Sequence, residues 1–366
     1  MRILISIICC ITFSFIFLSC KQEDSNENAN QTNGNNTNNC STQQLEQNLN
    51  SILSTTNSEV DFSFVIERVD GRRFSYNRGN SSLNTLYESA STSKLVTSVV
   101  ILRLVDQGYL SLIDKPQNHI STWPIGSSDS LYNMSLKNLL SFTSGLTTEP
   151  NCINLASANF QNCVNTIATT NANNGLVPGS QFYYSGTHMQ VAGLMAIKAR
   201  GVSNWQDIFT EFKNQTGLFA TSSYDLPSST NPRLAGGMHW TGAEYLNFLK
   251  TLRDGSLLSS TSLSQLITDH IAYSTIAYSP TITGLNEDWH YGLGIWHECK
   301  NSSFNCTPGQ RLSSPGAYGA YPFWDRTKNY VGLVARQGTL GTYTNGIAIE
   351  RSVQDVVDQW ATCSNP

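Results

Sequence analysis

Apolar residues recur at helical spacing near both ends of the chain and through its middle. Leu45, Leu49 and Leu53 stand four residues apart, as residues on the buried face of a helix do, and Ser41 or Thr42 could cap this segment. The same period predicts further helices over residues 94–107, 136–142, 187–200, 203–214, 242–253 and 349–363. The middle of the chain is therefore predicted to be mostly helical.

Strand patterns flank this helical middle, at residues 60–69, 72–77, 290–298 and 329–337. Asp70-Gly71 favours a tight turn between the first two strands. Early and late strands can share one sheet only if the middle is an insertion. We therefore predict an α+β fold, in which an antiparallel sheet built from both chain ends is flanked by helices and carries an inserted, mostly helical subdomain over roughly residues 95–285.

The first residues have the pattern of an export signal. Arg2 is followed by an apolar run that is short for a membrane-spanning helix, which predicts a signal peptide over residues 1–19. The small Ser19 before Cys20 resembles a bacterial lipoprotein leader, although Phe17 stands where that motif prefers leucine. We expect Cys20 to carry a lipid; the alternative is an ordinary cleaved signal that leaves Cys20 unmodified.

Residues 20–40 form an Asn-rich segment that contains no large apolar residue. Such a segment cannot bury enough surface to offset the entropy of ordering, so we expect a disordered tether before a catalytic domain over residues 41–366. The protein would then be exported and held on a bacterial membrane by its lipid alone, on the periplasmic side or at the cell surface.

Charge and composition exclude several classes of partner. Charged residues make up 13% of the chain, the net charge is −4, and no basic run suggests nucleic acid. No C-x-x-C pair or H-E-x-x-H spacing occurs, so we expect neither a metal nor a cofactor. The expected partner is a small-molecule substrate, and the expected state is a monomer.

The nine cysteines fit an oxidising compartment. Cys9 and Cys10 fall in the leader and Cys20 at the lipid position, which leaves six cysteines and fifteen ways to pair them. Local spacing favours two disulfides that each close a short loop, and the two remaining cysteines would then join the ends of the domain. The expected disulfides are Cys152–Cys163, Cys299–Cys306 and Cys40–Cys363.

Ser91 and Lys94 are the candidate reactive pair. Residues three apart share a helix face, so Lys94 could reach the Ser91 hydroxyl. A serine needs a base beside it to act as a nucleophile, and a buried lysine becomes one because burial disfavours its charged form. Taken alone the pair is weak, because a capped helix with a lysine extending to solvent would look the same.

The context of the pair is specific. Ser91 to Lys94 fit the pattern S-x-x-K, and four further segments follow in order: LSLIDKP (110–116), LKNLLSFTSGL (136–146), PGSQFYYSGTHMQVAGLM (178–195) and NPRLAGGMHWTGAEYLNFL (231–249). With YGLGIW at 291–296, the set resembles the serine β-lactamase and penicillin-binding-protein superfamily, in its class C β-lactamase-related branch of esterases and amide hydrolases. The resemblance covers roughly residues 42–361.

The resemblance implies roles for individual residues. Ser91 would be the acylated nucleophile, Lys94 its proton partner, and Tyr184 the tyrosine of the second motif. A phenol can ionise below its usual pKa beside a buried cation, and Tyr184 could then act as general base for acylation or activate water for deacylation. Ser314-Pro315-Gly316 would take the position of the third motif, and the backbone N–H groups of Ser91 and Ala317 would form an oxyanion hole. Substrate contacts are expected from Ser314, Gly316, Gly186 and Tyr318.

Two positions depart from the family pattern. Gly186 replaces the asparagine of Tyr-x-Asn, and Ser314 stands where the third motif carries Lys or His. A neutral hydroxyl holds a substrate carboxylate less well than a cation does. The expected function is therefore a serine hydrolase that cleaves an ester or small amide through an acyl-enzyme on Ser91.

Other interpretations remain open. One alternative is a true β-lactamase or D-Ala-D-Ala carboxypeptidase, in which Arg336 or a backbone group would hold the substrate carboxylate. Another is a non-catalytic surface lipoprotein that binds a wall or host ligand. A Ser-His-Asp hydrolase is disfavoured because no G-x-S-x-G elbow occurs. His188 could line the cleft or lie on a helix surface.

Overall fold

The computed structural model describes residues 40–364, in which strands from both ends of the chain enclose a helical middle. The strands are β1 Ser63–Arg68, β2 Arg73–Asn77, β3 Leu86–Glu88, β4 Gln181–Tyr183, β5 Ser223–Tyr224, β6 Met238–Thr241, β7 Thr275–Tyr278, β8 His290–Tyr291, β9 Trp296–His297, β10 Arg311–Ser313, β11 Tyr321–Asp325 and β12 Tyr330–Ala335. The α-helices are α1 Thr42–Thr55, α2 Ser93–Asp106, α3 Pro116–His119, α4 Leu136–Leu140, α5 Phe160–Asn171, α6 Thr187–Arg200, α7 Trp205–Thr216, α8 Gly242–Arg253, α9 Ser260–Leu266, α10 Pro280–Leu285 and α11 Tyr343–Thr362.

Seven antiparallel strands form the central sheet, in the order β2-β1-β12-β11-β10-β9-β8. β1 pairs with β12 over its whole length, from Ser63 opposite Ala335 to Arg68 opposite Tyr330. The N-terminal hairpin and the C-terminal strands therefore share one sheet, which confirms the predicted fold class.

Helices cover both faces of this sheet. All six residues of β12 are buried, and successive side chains of a strand point to opposite faces, so both faces must be covered. The terminal helices α1 and α11 pack on each other and on the sheet, whereas α8 packs against β11 and β12.

The inserted region carries most of the helices and the strands β4 to β7, which form two small sheets together with β3. α2 is buried on nearly every side, from Ser93 to Leu102, and packs against α6, α7 and α9. The small sheets have the orders β3-β6-β5 and β4-β7, and the second of these is parallel. No helix among residues 40–364 is both long and apolar enough to cross a membrane.

Three disulfides join the six cysteines of the domain in the pairs that the spacing favoured: Cys40–Cys363, Cys152–Cys163 and Cys299–Cys306. The first of these ties the start of α1 to the end of α11. Leu45, Leu49 and Leu53 are buried on α1, as the helical period predicted. The leader, Cys20 and the tether lie outside the described residues, so their roles stay predictions.

The strand predicted over 290–298 is wrong in detail. The chain forms two short strands, β8 and β9, that pair with each other around a turn at Gly292–Ile295. Gly294 has a φ of +82°, and a Cβ there would lie 2.1 Å from Ser98 Oγ of α2. The glycine thus allows both the turn and the close approach of the sheet to α2.

Candidate active site

Ser91 lies in a 3₁₀ turn, Ala90–Thr92, that leads directly into α2. Lys94 follows in the first turn of α2, and its Nζ lies 2.8 Å from Ser91 Oγ. The same Nζ lies 2.8 Å from the carbonyl oxygen of Ala235. The predicted Ser–Lys pair is therefore within hydrogen-bonding distance.

Burial makes Lys94 a base. Lys94 is 4% exposed, and its pKa is lowered to about 7, chiefly by desolvation; the positive charge of Arg233 contributes to this lowering and the negative charge of Glu149 opposes it. Near neutral pH a large share of the amine is neutral and can accept the Ser91 proton. The alternative of a solvent-exposed lysine after a helix cap is excluded.

Buried hydrogen bonds fix the turn that carries Ser91. The Trp240 indole N–H donates to Thr92 Oγ1 at 2.8 Å, and the Tyr245 hydroxyl donates to the Thr92 carbonyl at 2.8 Å. Ala90 has a φ of +46°, a conformation that costs energy for a residue with a side chain. The packing around the turn holds this conformation and presents Ser91 at the surface of the cleft.

Tyr184 lies against both members of the pair. Lys94 Nζ sits 4.6 Å from the centroid of its ring, and the Trp296 ring stacks on it with centroids 5.1 Å apart. Burial raises the Tyr184 pKa to about 12, although hydrogen bonds with Ser91 and Trp296 act to lower it. Tyr184 is thus a neutral phenol at neutral pH, whereas a general base would have to ionise, and its catalytic role stays a prediction. It suits donation and relay of a proton.

The loop after β10 supplies the second backbone group at Ser91. Ser314 N–H donates to the Pro322 carbonyl and Gly316 N–H to the Ala320 carbonyl, so the loop continues the β10–β11 pairing. Within residues 40–364, no backbone acceptor is found for the Ala317 N–H. Ser91 and Ala317 both line the cavity beside the hydroxyl, and the expectation that their N–H groups form an oxyanion hole stays a prediction.

A cavity of about 260 Å³ opens beside Ser91. Its walls come from six separate segments of the chain, and the lining residues are Ser91, Tyr184, Tyr278, Pro280, Thr281, Trp296, Pro315, Ala317, Leu340, Gly341, Tyr343 and Ile347. None of these side chains carries a charge. The volume is close to the lower end of small-molecule sites, roughly 300–1,000 Å³.

The four predicted substrate contacts do not line this cavity. Ser314 is buried, and its hydroxyl donates to the Ser91 carbonyl at 3.4 Å. Gly316 faces the nucleophile turn, where a Cβ would lie 2.4 Å from the Ser89 carbonyl oxygen. Because side chains alternate along an extended segment, Pro315 and Ala317 face the cavity instead.

Gly186 and Tyr318 also lie outside the cavity lining. The Gly186 N–H donates to Glu149 Oε2 at 2.8 Å, and that carboxylate occupies the space beside the missing side chain. Tyr318 is half-buried and hydrogen-bonds to Glu88, whose charge together with burial raises the Tyr318 pKa. The cavity wall formed by Tyr278, Leu340 and residues 343–347 carried no recognisable sequence motif.

His188 and Arg336 are structural. His188 Nε2 lies 2.9 Å from the Tyr183 carbonyl and Nδ1 lies 2.8 Å from Ser144 Oγ, so Nε2–H donates and Nδ1 accepts. Burial lowers the His188 pKa to about 3, and the ring neither lines the cleft nor reaches the surface. Arg336 is fully buried in an ion pair with Glu59 and cannot hold a substrate carboxylate in the cavity.

The match to a family of known proteins agrees with this geometry. A sequence model of the family described as Beta-lactamase matches residues 64–344. The chain belongs to the Beta-lactamase family. Members are hydrolases of the serine β-lactamase type, which also includes penicillin-binding-protein-like enzymes. Among residues 40–364, no group of three or more His, Cys, Asp or Glu side chains could hold a metal ion.

Similar proteins support the same fold. A candidate β-lactamase from Bacteroides dorei DSM 17855 superposes with a TM-score of 0.70 at 22% identity, covering 87% of this chain and 99% of that one. EstCE1, a hydrolase with promiscuous acyltransferase activity, gives a TM-score of 0.67 at 16% identity, covering 85% and 98%. Protein flp of Staphylococcus aureus (strain N315) is 29% identical over 117 residues, which are 31% of this chain and 23% of that protein.

Proposed function

We propose that this protein is a serine hydrolase that cleaves an ester or small amide through an acyl-enzyme on Ser91. The observation that carries the proposal is the Ser91–Lys94 pair, with Nζ 2.8 Å from Oγ and a Lys94 pKa of about 7. A neutral lysine at that distance can take the serine proton as Oγ attacks a carbonyl carbon.

The reaction follows from the groups around Ser91. The Oγ proton passes to Lys94 Nζ while the new C–O bond forms and the oxyanion is held by the N–H groups of Ser91 and Ala317. Collapse expels the alcohol or amine, which takes a proton from Lys94 through the neutral Tyr184 phenol. Water then attacks the acyl-enzyme, giving its proton to the same groups and releasing the acid.

The cavity supports a substrate whose acyl group is apolar and carries no carboxylate. Its lining is neutral and mainly aromatic and aliphatic, so a carboxylate placed there would be desolvated without a charged partner. The third-motif position offers no cation, because Ser314 is neutral and buried. EstCE1, described as a hydrolase with promiscuous acyltransferase activity, has the same fold, which is compatible with acyl transfer on this scaffold.

A comparison of substrates tests the proposal. We expect turnover of short p-nitrophenyl esters or small amides, and poor turnover of nitrocefin and D-Ala-D-Ala peptides. The last two carry a carboxylate that finds no cation here, and a charge-assisted bond to a carboxylate is worth about 1.5–3 kcal/mol, or roughly ten- to hundredfold in kcat/KM. Efficient nitrocefin hydrolysis or peptide cleavage would replace the ester proposal with the β-lactamase or carboxypeptidase alternative. No turnover and no reaction with a fluorophosphonate would favour a non-catalytic binding protein.

We also propose that the enzyme is exported and anchored by a lipid on Cys20. Three disulfides in the described domain support an oxidising location, since such bonds are rare in reducing compartments. The anchor would leave the active site facing substrates outside the cytoplasm.

A further inference from the structure

An ion pair bridges the two segments that serve Ser91. Arg233 Nη2 donates to Glu149 Oε1 at 2.7 Å, and Glu149 Oε2 accepts the Gly186 N–H at 2.8 Å. Gly186 follows Tyr184 by two residues. Arg233 lies two residues before Ala235, and the Ala235 carbonyl oxygen lies 2.8 Å from Lys94 Nζ.

The carboxylate takes the place of an absent side chain. A Cβ on Gly186 would lie 3.1 Å from Glu149 Oε2 and 3.6 Å from the Ala235 Cβ. The space in which a motif asparagine would begin is therefore bounded by the carboxylate on one side and the Lys94-bearing turn on the other. The Glu149 carboxylate also accepts the N–H of Gly186, the N-cap residue of α6, and the helix dipole favours a negative charge at that end of the helix.

We propose that Glu149 and Arg233 form a positioning pair, which holds the Tyr184 and Ala235 segments together and balances the charge around the Lys94 amine in place of the missing motif side chain. The inference rests on the proposed function, because it concerns the base of that reaction. Neither residue is a catalytic residue, since both act through Lys94 and Tyr184.

The charges facing Lys94 make the pair testable by pH. The ionisable groups that act on Lys94 from the packed elements are Tyr184, His188, Glu149 and Arg233. Tyr184, with a pKa of about 12, and His188, with a pKa of about 3, are neutral between pH 5 and 9. Among the described residues that act on Lys94, Arg233 and Glu149 therefore supply the charges, one of each sign.

Because Arg233 and Glu149 carry opposite charges, removing one or the other should shift the pH dependence of Ser91 reactivity in opposite directions. Loss of the positive charge in Arg233→Met should make Lys94 easier to protonate and move the acidic limb of reactivity to higher pH. Loss of the negative charge in Glu149→Gln should move that limb to lower pH. Each shift should be at least about 0.5 pH unit, a modest value for a charge that lies near a buried amine.

The test measures the second-order rate of Ser91 labelling by a fluorophosphonate from pH 5 to 9. Wild type, Glu149→Gln, Arg233→Met, Arg233→Lys and the Glu149→Gln/Arg233→Met double variant are compared. We expect the Arg233→Lys midpoint to stay near wild type because the charge is kept. The double variant should return towards the wild-type midpoint because both charges are gone, although its rate stays lower.

A matched pair elsewhere provides the control. Arg200 and Glu211 are bonded at 3.0 Å with side-chain exposures of 30% and 29%, against 38% and 25% for Arg233 and Glu149. Arg200→Met and Glu211→Gln should leave the midpoint unmoved. Equal melting temperatures of the compared variants exclude unfolding as the cause of a shift.

Several results would overturn the inference. Midpoints that stay fixed, or that move in the same direction in both single variants, would reduce the pair to a structural contact. If Arg233→Met does not fold, Glu149→Gln decides alone, and an unmoved or raised midpoint rejects the proposal. Absence of labelling in wild type would instead reject the proposed function itself.

Discussion

Lys94→Met should stabilise the protein while it removes activity. The wild-type fold keeps an amine buried whose folded pKa is about 7 against an unfolded value near 10.5. Between these two values the unfolded chain binds more protons than the folded one, so the stability of the wild type rises as pH increases through that window. Methionine has a similar shape and no charge to bury.

The size of the effect follows from the two pKa values. At 1.36 kcal/mol per pH unit, the wild type carries a penalty of about 5 kcal/mol at pH 6, which falls to about 2 kcal/mol at pH 9. Methionine leaves the Ala235 carbonyl without its hydrogen bond, a loss of about 1–3 kcal/mol at any pH. The net gain should therefore be about 2–4 kcal/mol at pH 6 and close to zero at pH 9.

Urea unfolding of wild type and Lys94→Met at pH 6, 7.5 and 9 measures this gain. Lys198→Met is the control, because Lys198 lies in a helix, α6, but is exposed, and it should show no pH-dependent gain. A Lys94→Met protein that is less stable than wild type at pH 6, or a difference that does not change with pH, would show that Lys94 is not held as a low-pKa amine. The proton acceptor in the acylation step would then have to be another group.

Three further predictions concern other parts of the chain. Gly316→Ala should lower kcat/KM by on the order of 10²-fold with the fold retained, because its Cβ would lie 2.4 Å from the Ser89 carbonyl oxygen and would displace the turn that carries Ser91. Gly126→Ala is the control, because a Cβ there meets nothing within 4 Å. Equal activities of the two variants would refute the contact. Cys40→Ser/Cys363→Ser should lose about 2–5 kcal/mol of unfolding free energy, since that bridge spans 323 residues; urea midpoints equal to wild type would contradict it. Cys20→Ala should abolish incorporation of a radiolabelled fatty acid and release the protein from membranes, whereas lipid labelling that persists would place the anchor elsewhere.

Local patterns predicted most of the helices because their boundaries are encoded in a few residues. α8 begins after Thr241, whose hydroxyl accepts the Glu244 N–H, and α6 ends at Gly201 with a φ of +71°. The predicted ranges 242–253 and 187–200 match both helices. α11 begins at Tyr343, six residues before the predicted start, because its first turn contains Thr344, Asn345 and Gly346, which have the composition of a loop.

The chemistry of the nucleophile could be predicted from sequence, but the cavity could not. Ser91 and Lys94 lie three residues apart, so their contact follows from helix geometry alone. The wall residues Tyr278, Leu340 and Ile347 come from distant segments that only the tertiary fold brings together. Pro315 and Ala317 line the cavity and Ser314 and Gly316 do not, because side chains alternate along an extended segment and the sequence does not show which set faces the cavity.

Mapping of the covalent adduct tests the central claim most directly. The protein is treated with a fluorophosphonate, digested, and analysed by mass spectrometry, with Ser91→Ala treated in parallel. The account predicts one adduct per chain on Ser91, none in Ser91→Ala, and loss of ester hydrolysis in step with labelling. An adduct on another residue, or undiminished labelling and turnover in Ser91→Ala, would contradict it.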